Sequence, residues 1–339
     1  MMSGNLVWGL LVVVVAGLLQ GSFAAPMKVM SKWRWENSWF IFALSGLIAF
    51  PWIINFATVP NVIEVYKGAS SSSLLRVSAF GLFWGVGAAL FGLGISRVGM
   101  ALGFALILGI TSSFGSLIPL AILHPDQLLA KRGLSLIAGT AIMVLGLVFL
   151  GLAGRARERD LATPDGARSG FAMGLVICFF AGIFSAMLNF SFVFGDELRL
   201  RALQSGASNA MAANSIWTLT VSGGFVANFL YCVYLLNKNR TWSAFREGNP
   251  WTYWPLGISM GVLWFGGVVL YGMGAASLGT LGGIVGWPVF MTIDIIAALF
   301  WGVVYGEWKG ASRRALLYNW AGVLVLVIAI AVISAGNAA

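Results

Sequence analysis

The sequence predicts an all-α polytopic membrane protein with ten transmembrane helices, and three observations lead to this prediction. Of the 339 residues, 59% are hydrophobic and only 9% are Asp, Glu, Lys or Arg, whereas about 25% are charged in an ordinary soluble domain. The mean hydropathy is +0.91. The apolar residues also gather into ten runs of roughly 20 residues, the length that a helix needs to cross a bilayer. A soluble protein is excluded because its surface would need far more charge.

The ten runs follow one another along the whole chain, separated by short connections. The longest polar segment, Arg155 to Arg168, is only a linker. No basic residue precedes the first run, and Lys28 and other cations follow it, which is the reverse of a secretory signal peptide. We therefore expect a retained first helix. The runs are residues 5–25, 38–58, 74–95, 100–122, 134–153, 170–194, 212–236, 254–274, 279–304 and 315–335.

The basic residues predict the orientation of these helices. If the N-terminus lies outside, 14 Lys and Arg residues fall in the inner connections and 6 in the outer ones. Inner loops carry the excess of positive charge, so we expect both termini to be periplasmic. The formal net charge of +9 comes from these scattered loop clusters rather than from one basic face. It therefore indicates the lipid bilayer as the partner and no nucleic acid.

Two parts of the chain match at a constant offset of 180 residues. Seven of eight aligned positions are identical, and the eighth is Phe against Tyr. A second match, at offset 165, pairs Gly9-Leu10 and Ala16-Gly17 with Gly174-Leu175 and Ala181-Gly182. The eight positions are Trp84, Gly87, Leu90, Phe91, Gly92, Gly94, Gly99 and Gly103, against Trp264, Gly267, Leu270, Tyr271, Gly272, Gly274, Gly279 and Gly283.

These matches predict a first five-helix repeat in residues 1–160 and a second in residues 161–339. Five is an odd number, so the second copy is expected to be inverted in the membrane. Inverted repeats are the architecture of many secondary transporters, with the substrate at the midplane between them. The alternative is a duplication that only stabilised a bundle. We expect spans 1–4 and 6–9 to rock around a midplane cavity, with spans 5 and 10 as peripheral supports. Gly282, Gly283, Gly286 and Pro288 predict a weakened helix in the ninth run.

Short motifs along the whole chain resemble one transporter family. They are Ala25-Pro26, Lys32-Trp33-x-Trp35-Glu36-x-x-Trp39, Trp84-Gly85-Val86-Gly87, Phe91-Gly92, Gly99-Met100, Gly109-Ile110-Thr111, Gly182-Ile183-Phe184-Ser185-Ala186, and Glu307-Trp308 with Arg313-Arg314. With ten spans and two halves, the chain resembles the L-rhamnose–proton symporter family of the drug/metabolite transporter superfamily. The resemblance implies import of L-rhamnose across the bacterial inner membrane, driven by proton entry.

The chain also departs from the pattern of the enterobacterial symporters. Those proteins carry a histidine in the first span, where this chain has Leu11 to Val15. They carry polar and acidic residues at the start of the ninth span, where this chain has Leu281-Gly282-Gly283. The alternative function is therefore a carrier of the same fold that moves a different metabolite or exports it.

Asp294 is the candidate for proton coupling. A proton-coupled carrier needs a titratable group, and Asp294 is the acidic residue that falls in the middle of a run. Because a charge inside the bilayer is costly, such residues are usually functional. We predict that Asp294 carries the coupling proton or binds a sugar hydroxyl. The alternatives are a paired structural carboxyl, or one that lines a wet cavity without taking part in transport.

A sugar site needs polar side chains for the hydroxyls and an aromatic face for the C–H surface. The hydrogen-bonding candidates are Gln20, Asn55, Thr111, Ser185, Asn189, Asn214 and Thr292, from a wider set that includes Ser22, Ser112, Thr218 and Asn228. The aromatic candidates are Trp84, Trp264 and Trp287. Trp84 and Trp264 are equivalent in the repeat, so we expect them to face each other.

Both kinds of candidate have a structural alternative. Polar side chains also join membrane helices by hydrogen bonds. Tryptophans also anchor helices at the membrane interface, and that role explains Trp33, Trp35, Trp39, Trp251, Trp254 and Trp308 better. Arg97, Glu36 and Glu307 need no special role beyond the interface.

The sequence does not predict an enzyme. It has a single histidine, His124, in a loop, and two isolated cysteines, Cys178 and Cys232, in apolar runs. These residues cannot form a multi-histidine metal site, and we expect no disulfide. No nucleotide-binding glycine loop occurs either. We therefore expect a carrier without a cofactor or metal, and the sequence does not indicate its oligomeric state.

Overall fold

The computed structural model describes residues 2–98, 100–161 and 171–338. Within these ranges it is helical, without strands, and ten helices are long and apolar enough to cross a membrane. The predicted all-α, ten-span fold is confirmed. Spans 1–10 are Met2–Ser22, Trp35–Leu44 continued by Phe50–Thr58, Ser71–Val98, Met100–Leu123, Lys131–Leu161, Phe171–Phe194, Asn214–Lys238, Pro250–Ser277, Gly282–Val304 and Arg313–Ala338.

Short helical segments complete the described chain. Two of them, Val62–Gly68 and Asp196–Gln204, lie on the face of the bundle at which span 1 begins and span 10 ends. We call this end the terminal face and the other end the opposite face. Three 3₁₀ turns, Ala25–Lys28, Pro125–Gln127 and Trp242–Arg246, lie in connections. Gly99, Arg168 and most of the segment between the two predicted repeats fall outside the described residues.

The irregular helix of the bundle is span 2 rather than span 9. A π-helical turn, Ser45–Ala49, joins the two parts of span 2, and the Thr218 hydroxyl of span 7 donates to the Pro51 carbonyl at 3.0 Å. Span 9 is not interrupted, because the helix runs from Gly282 to Val304 with Pro288 inside it, and the weakening expected from its glycines and Pro288 stays a prediction. Its glycine pair lies in the first turn, where backbone N–H groups have no helical partner in any case.

Glycines bring particular helices into backbone contact. A Cβ atom placed on Gly87 of span 3 would lie 3.0 Å from the backbone of Phe184 in span 6. One placed on Gly267 of span 8 would lie 2.9 Å from the Ala16 carbonyl oxygen in span 1. Small residues allow such close approach in membranes, where no hydrophobic effect drives helices together. Spans 3 and 6, and spans 8 and 1, are therefore tightly joined.

The packing divides the bundle differently from the sequence. Span 1 packs against spans 8 and 9, and span 2 packs against both span 7 and span 8. Span 6 packs against spans 3 and 4, and span 7 packs against span 3. We call spans 1, 2, 8 and 9 the first helix group and spans 3, 4, 6 and 7 the second. The closest packing joins helices from both halves of the chain, and the rocking of spans 1–4 and 6–9 stays a prediction.

Spans 5 and 10 pair with each other along their length. Cβ atoms placed on Gly146 and Gly322 would lie 2.9 Å from Leu326 and 2.7 Å from Leu150. Span 5 is nevertheless more than a peripheral support, because Leu147, Leu150, Gly151 and Gly154 line the central cavity described below.

Candidate functional site

A cavity of about 590 Å³ extends from the middle of the bundle to the opposite face. Its volume lies in the range of about 300–1,000 Å³ that is typical of small-molecule sites. Spans 1–9 or their flanking residues contribute to its walls, so it lies where the two helix groups meet. The aromatic lining residues are Phe23, Trp39, Phe42, Trp84, Phe91, Trp264 and Trp308, and the polar ones are Arg157, Ser185, Asn228, Asp294 and Glu307.

Two tryptophans from different helix groups form an aromatic wall of the cavity. The rings of Trp84 and Trp264 stack with centroids 5.2 Å apart and an interplanar angle of 28°, as expected from their positions in the repeat. Gln20 does not line the cavity but orients this wall. In the amide orientation that satisfies both groups, its oxygen accepts from the Trp264 Nε1 atom at 2.8 Å and its nitrogen donates to the Trp264 carbonyl at 3.1 Å.

Asn228 and Trp39 add a polar contact between spans 7 and 2. The Trp39 Nε1 atom donates to Asn228 Oδ1 at 2.9 Å, and Asn228 Nδ2 donates to the Gly224 carbonyl at 2.9 Å. The Trp39 ring also stacks on Trp35, with centroids 4.8 Å apart. Trp39 therefore lies in the cavity wall, and a role at the membrane interface does not account for it. Ser185 of span 6 is another polar side chain in the cavity wall.

Asp294 of span 9 lines the part of this cavity that lies in the middle of the bundle. Span 1 approaches it closely, since a Cβ atom on Gly21 would collide with the Asp294 carbonyl oxygen. Among the described residues, no side chain forms a hydrogen bond or an ion pair with its carboxylate. This placement favours proton coupling, sugar binding or the lining of a wet cavity over the role of a paired structural carboxyl. A carboxyl group without a partner remains available to a proton or to a ligand.

Charged residues from three elements meet where the cavity reaches the opposite face. The Glu307 carboxylate lies 2.6 Å from Lys28 Nζ and 3.5 Å from Arg157 Nη1. The Arg157 guanidinium lies over the Trp308 ring, 5.3 Å from its centroid. We call Lys28, Arg157 and Glu307 the charged mouth. Glu307 and Trp308 therefore line the mouth of the cavity, and their expected role at the interface stays a prediction.

Toward the terminal face, the two helix groups are sealed together by Asn189. Its Nδ2 atom donates to the carbonyls of Gly115 in span 4 and Gly283 in span 9, at 2.8 and 2.9 Å. Its Oδ1 atom accepts from the Tyr271 hydroxyl of span 8 at 2.8 Å. Two of these three bonds cross between the helix groups. Asn189 is fully buried and does not line the cavity.

Aromatic rings close the same region around Asn189. Phe192 stacks on Trp217, with centroids 4.8 Å apart and an interplanar angle of 2°. Tyr271 contacts both rings from the other helix group. The Trp287 Nε1 atom donates to the Thr111 carbonyl at 3.2 Å, so spans 9 and 4 are also joined. We call Asn189, Phe192, Trp217, Tyr271 and Trp287 the terminal seal.

The structure brings four of the principal site candidates to the cavity, together with Asn228 from the wider set, and leaves the other principal candidates elsewhere. Trp84, Ser185, Trp264 and Asp294 line it. Six candidates instead form hydrogen bonds within the protein, and as substrate contacts they stay predictions. Besides Asn189 and Trp287, these are Asn55 bonded to Tyr66, Thr111 to the Gly182 carbonyl, Asn214 to Thr58, and Thr292 to the Pro288 carbonyl.

We expect Asn189→Leu to open the terminal seal. The substitution keeps the volume but removes three hydrogen bonds, two of which join the helix groups. At about 1 kcal/mol for each bond between the groups, the population open toward the terminal face should rise roughly tenfold or more. The measurement uses Ser185→Cys in the cavity wall, in a background in which Cys178→Ala and Cys232→Ala remove the native thiols. A membrane-impermeant thiol reagent is added at the terminal face, and the rate at which it labels the new cysteine is compared between variants.

Thr292→Val is the matched control because its hydroxyl bonds only to its own helix. We expect it to label like the parent. Equal labelling of the Asn189→Leu protein and the parent would contradict a gating role for Asn189.

Comparisons with known proteins show the family of the chain. The family model described as L-rhamnose-proton symport protein (RhaT) matches residues 2–339. A protein named L-rhamnose-proton symporter from Escherichia coli O17:K52:H18 is 26% identical over 344 residues, covering 99% of this chain and 100% of that protein. A protein of the same name from Yersinia pestis strain Pestoides F is 26% identical over 345 residues and covers both chains completely. The chain therefore belongs to the L-rhamnose-proton symport protein family.

Proposed function

We propose that this protein is a secondary carrier that imports L-rhamnose together with protons across the bacterial inner membrane. The observation that carries this proposal is the central cavity, which combines a stacked tryptophan wall with the Asp294 carboxylate, a group that has no partner in the described part of the chain. Family membership and the names of the relatives from Escherichia and Yersinia support the same substrates. The protein acts as a carrier rather than as an enzyme.

The cavity walls suit a deoxy sugar. L-rhamnose has a methyl group and a C–H surface, which pack against the Trp84 and Trp264 indoles. Its hydroxyls need a few well-placed polar partners, and Ser185, Asn228 and Asp294 supply them. In this proposal Gln20 positions the Trp264 ring without touching the sugar, because both of its amide atoms already bond to Trp264.

Asp294 carries the proton in the proposed cycle. A protonated carboxyl donates a hydrogen bond to a sugar hydroxyl, whereas an ionised carboxylate only accepts. The protonated group is neutral, so it avoids the cost of holding a charge inside the membrane while the protein changes conformation. Proton release after the cavity opens inward would then weaken the bond to the sugar and favour its departure.

The proposed architecture is two inverted five-helix repeats, residues 1–160 and 161–339. Equivalent contacts support it. Gly94 approaches Cys178, and Gly274 approaches Val13, each at 2.7 Å for an added Cβ atom. Gly94 and Gly274 differ by the offset of 180, and Val13 and Cys178 by the offset of 165. The contact of span 3 with span 6 thus has a counterpart in the contact of span 8 with span 1.

The proposed transport movement is rocking of the first helix group against the second around the cavity. With both termini periplasmic, the opposite face is cytoplasmic and the present conformation is open inward. Opening toward the periplasm requires the terminal seal to break while the cavity walls near the charged mouth come together. A reporter that is active only in the periplasm, fused after Ala339, should be active if this orientation holds and inactive if it is reversed.

The test of the function is the external pH of lightly buffered, de-energised cells that express the protein. Adding L-rhamnose should make the medium more alkaline, because protons enter with the sugar. Vector-only cells, and expressing cells given another 6-deoxy sugar such as L-fucose, serve as controls. No shift with verified expression in the membrane would reject rhamnose–proton symport, and a shift of the same size with both sugars would reject rhamnose as the specific substrate.

A further inference from the structure

A second cavity, of about 250 Å³, lies at the opposite face between spans 5 and 10. It is separate from the central cavity, with which it shares no lining residue. Three guanidinium groups, from Arg155, Arg159 and Arg314, surround it together with Asp160 and Tyr318. The proposed transport mechanism does not use any of these residues.

The arginines of this cavity lack counter-ions within the described chain. Arg155 and Arg159 are one helical turn apart and face the same way, and like charges at this spacing destabilise a helix. Arg314 is oriented by Tyr318. Its Nη2 atom lies 3.2 Å from the phenolic oxygen, and its guanidinium lies over the ring. Neither contact neutralises a positive charge, and no ion pair forms with any of the three among the described residues.

Asp160 compensates only part of this charge. Its Oδ2 atom accepts a hydrogen bond from the Ser312 backbone N–H at 2.9 Å, which joins the ends of spans 5 and 10. A backbone N–H donor stabilises the ionised form of a carboxyl group, so Asp160 supplies one negative charge beside the three arginines. Three guanidinium groups against one carboxylate leave the cavity with a net positive charge. The cavity therefore favours an anion with several oxygen acceptors.

The surroundings indicate that this anion carries hydrocarbon. Leu152, at the membrane side of the cavity, is 41% exposed, and Leu317 of span 10 is 61% exposed. Both belong to helices that cross the membrane, so their exposed surface faces acyl chains. A ligand with a phosphate among the arginines would thus have its hydrocarbon beside these leucines. A free phosphate ion would leave the apolar side of the site unused.

We propose that this cavity binds the phosphodiester headgroup of an anionic phospholipid. Arginine pairs with phosphate oxygens in a two-pronged geometry, and basic pockets between membrane helices are suited to such headgroups. The bound lipid neutralises the cavity and holds the ends of spans 5 and 10 together, next to the Asp160–Ser312 contact. This site is independent of the transported sugar, so it stands or falls separately from the proposed function.

The test measures lipid binding to the full-length protein in detergent after the native lipids have been exchanged. Phosphatidylglycerol, phosphatidylethanolamine and inorganic phosphate are added in separate titrations, and thermal stability and native mass spectrometry report binding. We expect phosphatidylglycerol to stabilise the wild type and to remain bound, with little effect of the other two. The variant R155Q/R159Q/R314Q should bind phosphatidylglycerol roughly one hundredfold more weakly, from about 1 kcal/mol for each lost cation.

Two further variants make the result specific. The variant K238Q/R240Q/R246Q removes three cations on the same face, one at the end of span 7 and two in the connection after it, and should bind phosphatidylglycerol like the wild type. The single variant Arg159→Gln removes a side chain without a described partner, so it should fold normally and bind roughly fivefold more weakly.

Three outcomes would overturn the proposal. They are equal binding by the wild type and the cavity triple variant, equal losses in the two triple variants, or stabilisation of the wild type by phosphate as strong as that by the lipid. The last outcome would indicate a soluble anion in place of a lipid.

Discussion

Asp294→Asn is expected to abolish the accumulation of L-rhamnose while leaving the sugar able to bind and equilibrate. Asparagine has almost the same shape as aspartate but carries no titratable proton. It can still donate a hydrogen bond through its amide, as the protonated carboxyl does. The variant should therefore resemble a permanently protonated carrier that crosses between its two conformations without moving a proton.

The expected size of the effect follows from the membrane potential. One charge moved across 100 mV releases about 2.3 kcal/mol, which corresponds to an accumulation ratio of roughly fiftyfold. With one proton coupled to each sugar, the wild type can approach this ratio, and Asp294→Asn should fall to a ratio of about one. The measurement is the steady-state ratio of internal to external labelled sugar in energised cells or vesicles, together with sugar exchange in de-energised vesicles.

Glu307→Gln is the matched control for Asp294→Asn. It also removes one carboxylate from the cavity lining, but at the charged mouth, where Lys28 and Arg157 hold that carboxylate. We expect this variant to keep accumulation above a ratio of one. If Asp294→Asn accumulated sugar as the wild type does, with equal amounts of inserted protein, Asp294 would not be the coupling residue. Loss of accumulation in both variants with loss of exchange would point to a structural defect.

Trp84→Ala is expected to weaken L-rhamnose binding by roughly 10- to 100-fold. Full burial of a large apolar side chain is worth about 1.5–3 kcal/mol, and the aromatic wall loses one of its two indoles. Trp84→Phe retains an aromatic face and should lose less. The dissociation constant is measured by calorimetry on the purified protein without a membrane potential, so proton coupling does not affect the comparison.

Trp251→Ala is the control for the tryptophan substitution. Trp251 is 91% exposed and lies outside the cavity, so its removal should leave the dissociation constant unchanged. Unchanged binding in Trp84→Ala, or an equal loss in Trp251→Ala, would contradict a sugar platform at Trp84.

Because Trp84 contacts Trp264, the Trp84→Ala/Trp264→Ala variant should lose less than the sum of the two single losses in binding free energy.

The ten-helix fold could be predicted because the length of an apolar run is a local property of the sequence. Each predicted run overlaps one described span, and most boundaries differ by a few residues. The contact of Trp84 with Trp264 could also be predicted, since the repeat places them at equivalent positions. Family membership followed from motifs spread along the chain, and the family model covers the same length.

The sequence by itself therefore determined the membrane class, the number of spans, the family and Asp294 as a candidate. The tertiary structure alone decided which polar residues reach the cavity. Membrane helices are apolar on almost every side, so the hydrophobic pattern does not specify how each is rotated. Asn228 and Asn189 are both asparagines inside apolar runs of the sequence. Asn228 nevertheless lines the cavity, whereas Asn189 joins helices in the terminal seal.

The tertiary structure also decided which distant residues meet. Arg157 and Glu307 are 150 positions apart and form one ion pair at the charged mouth. The two helix groups likewise combine spans from both halves, because close approach of glycines requires a particular neighbour rather than a particular composition. Such contacts depend on complementary surfaces that come together only when the whole bundle has packed.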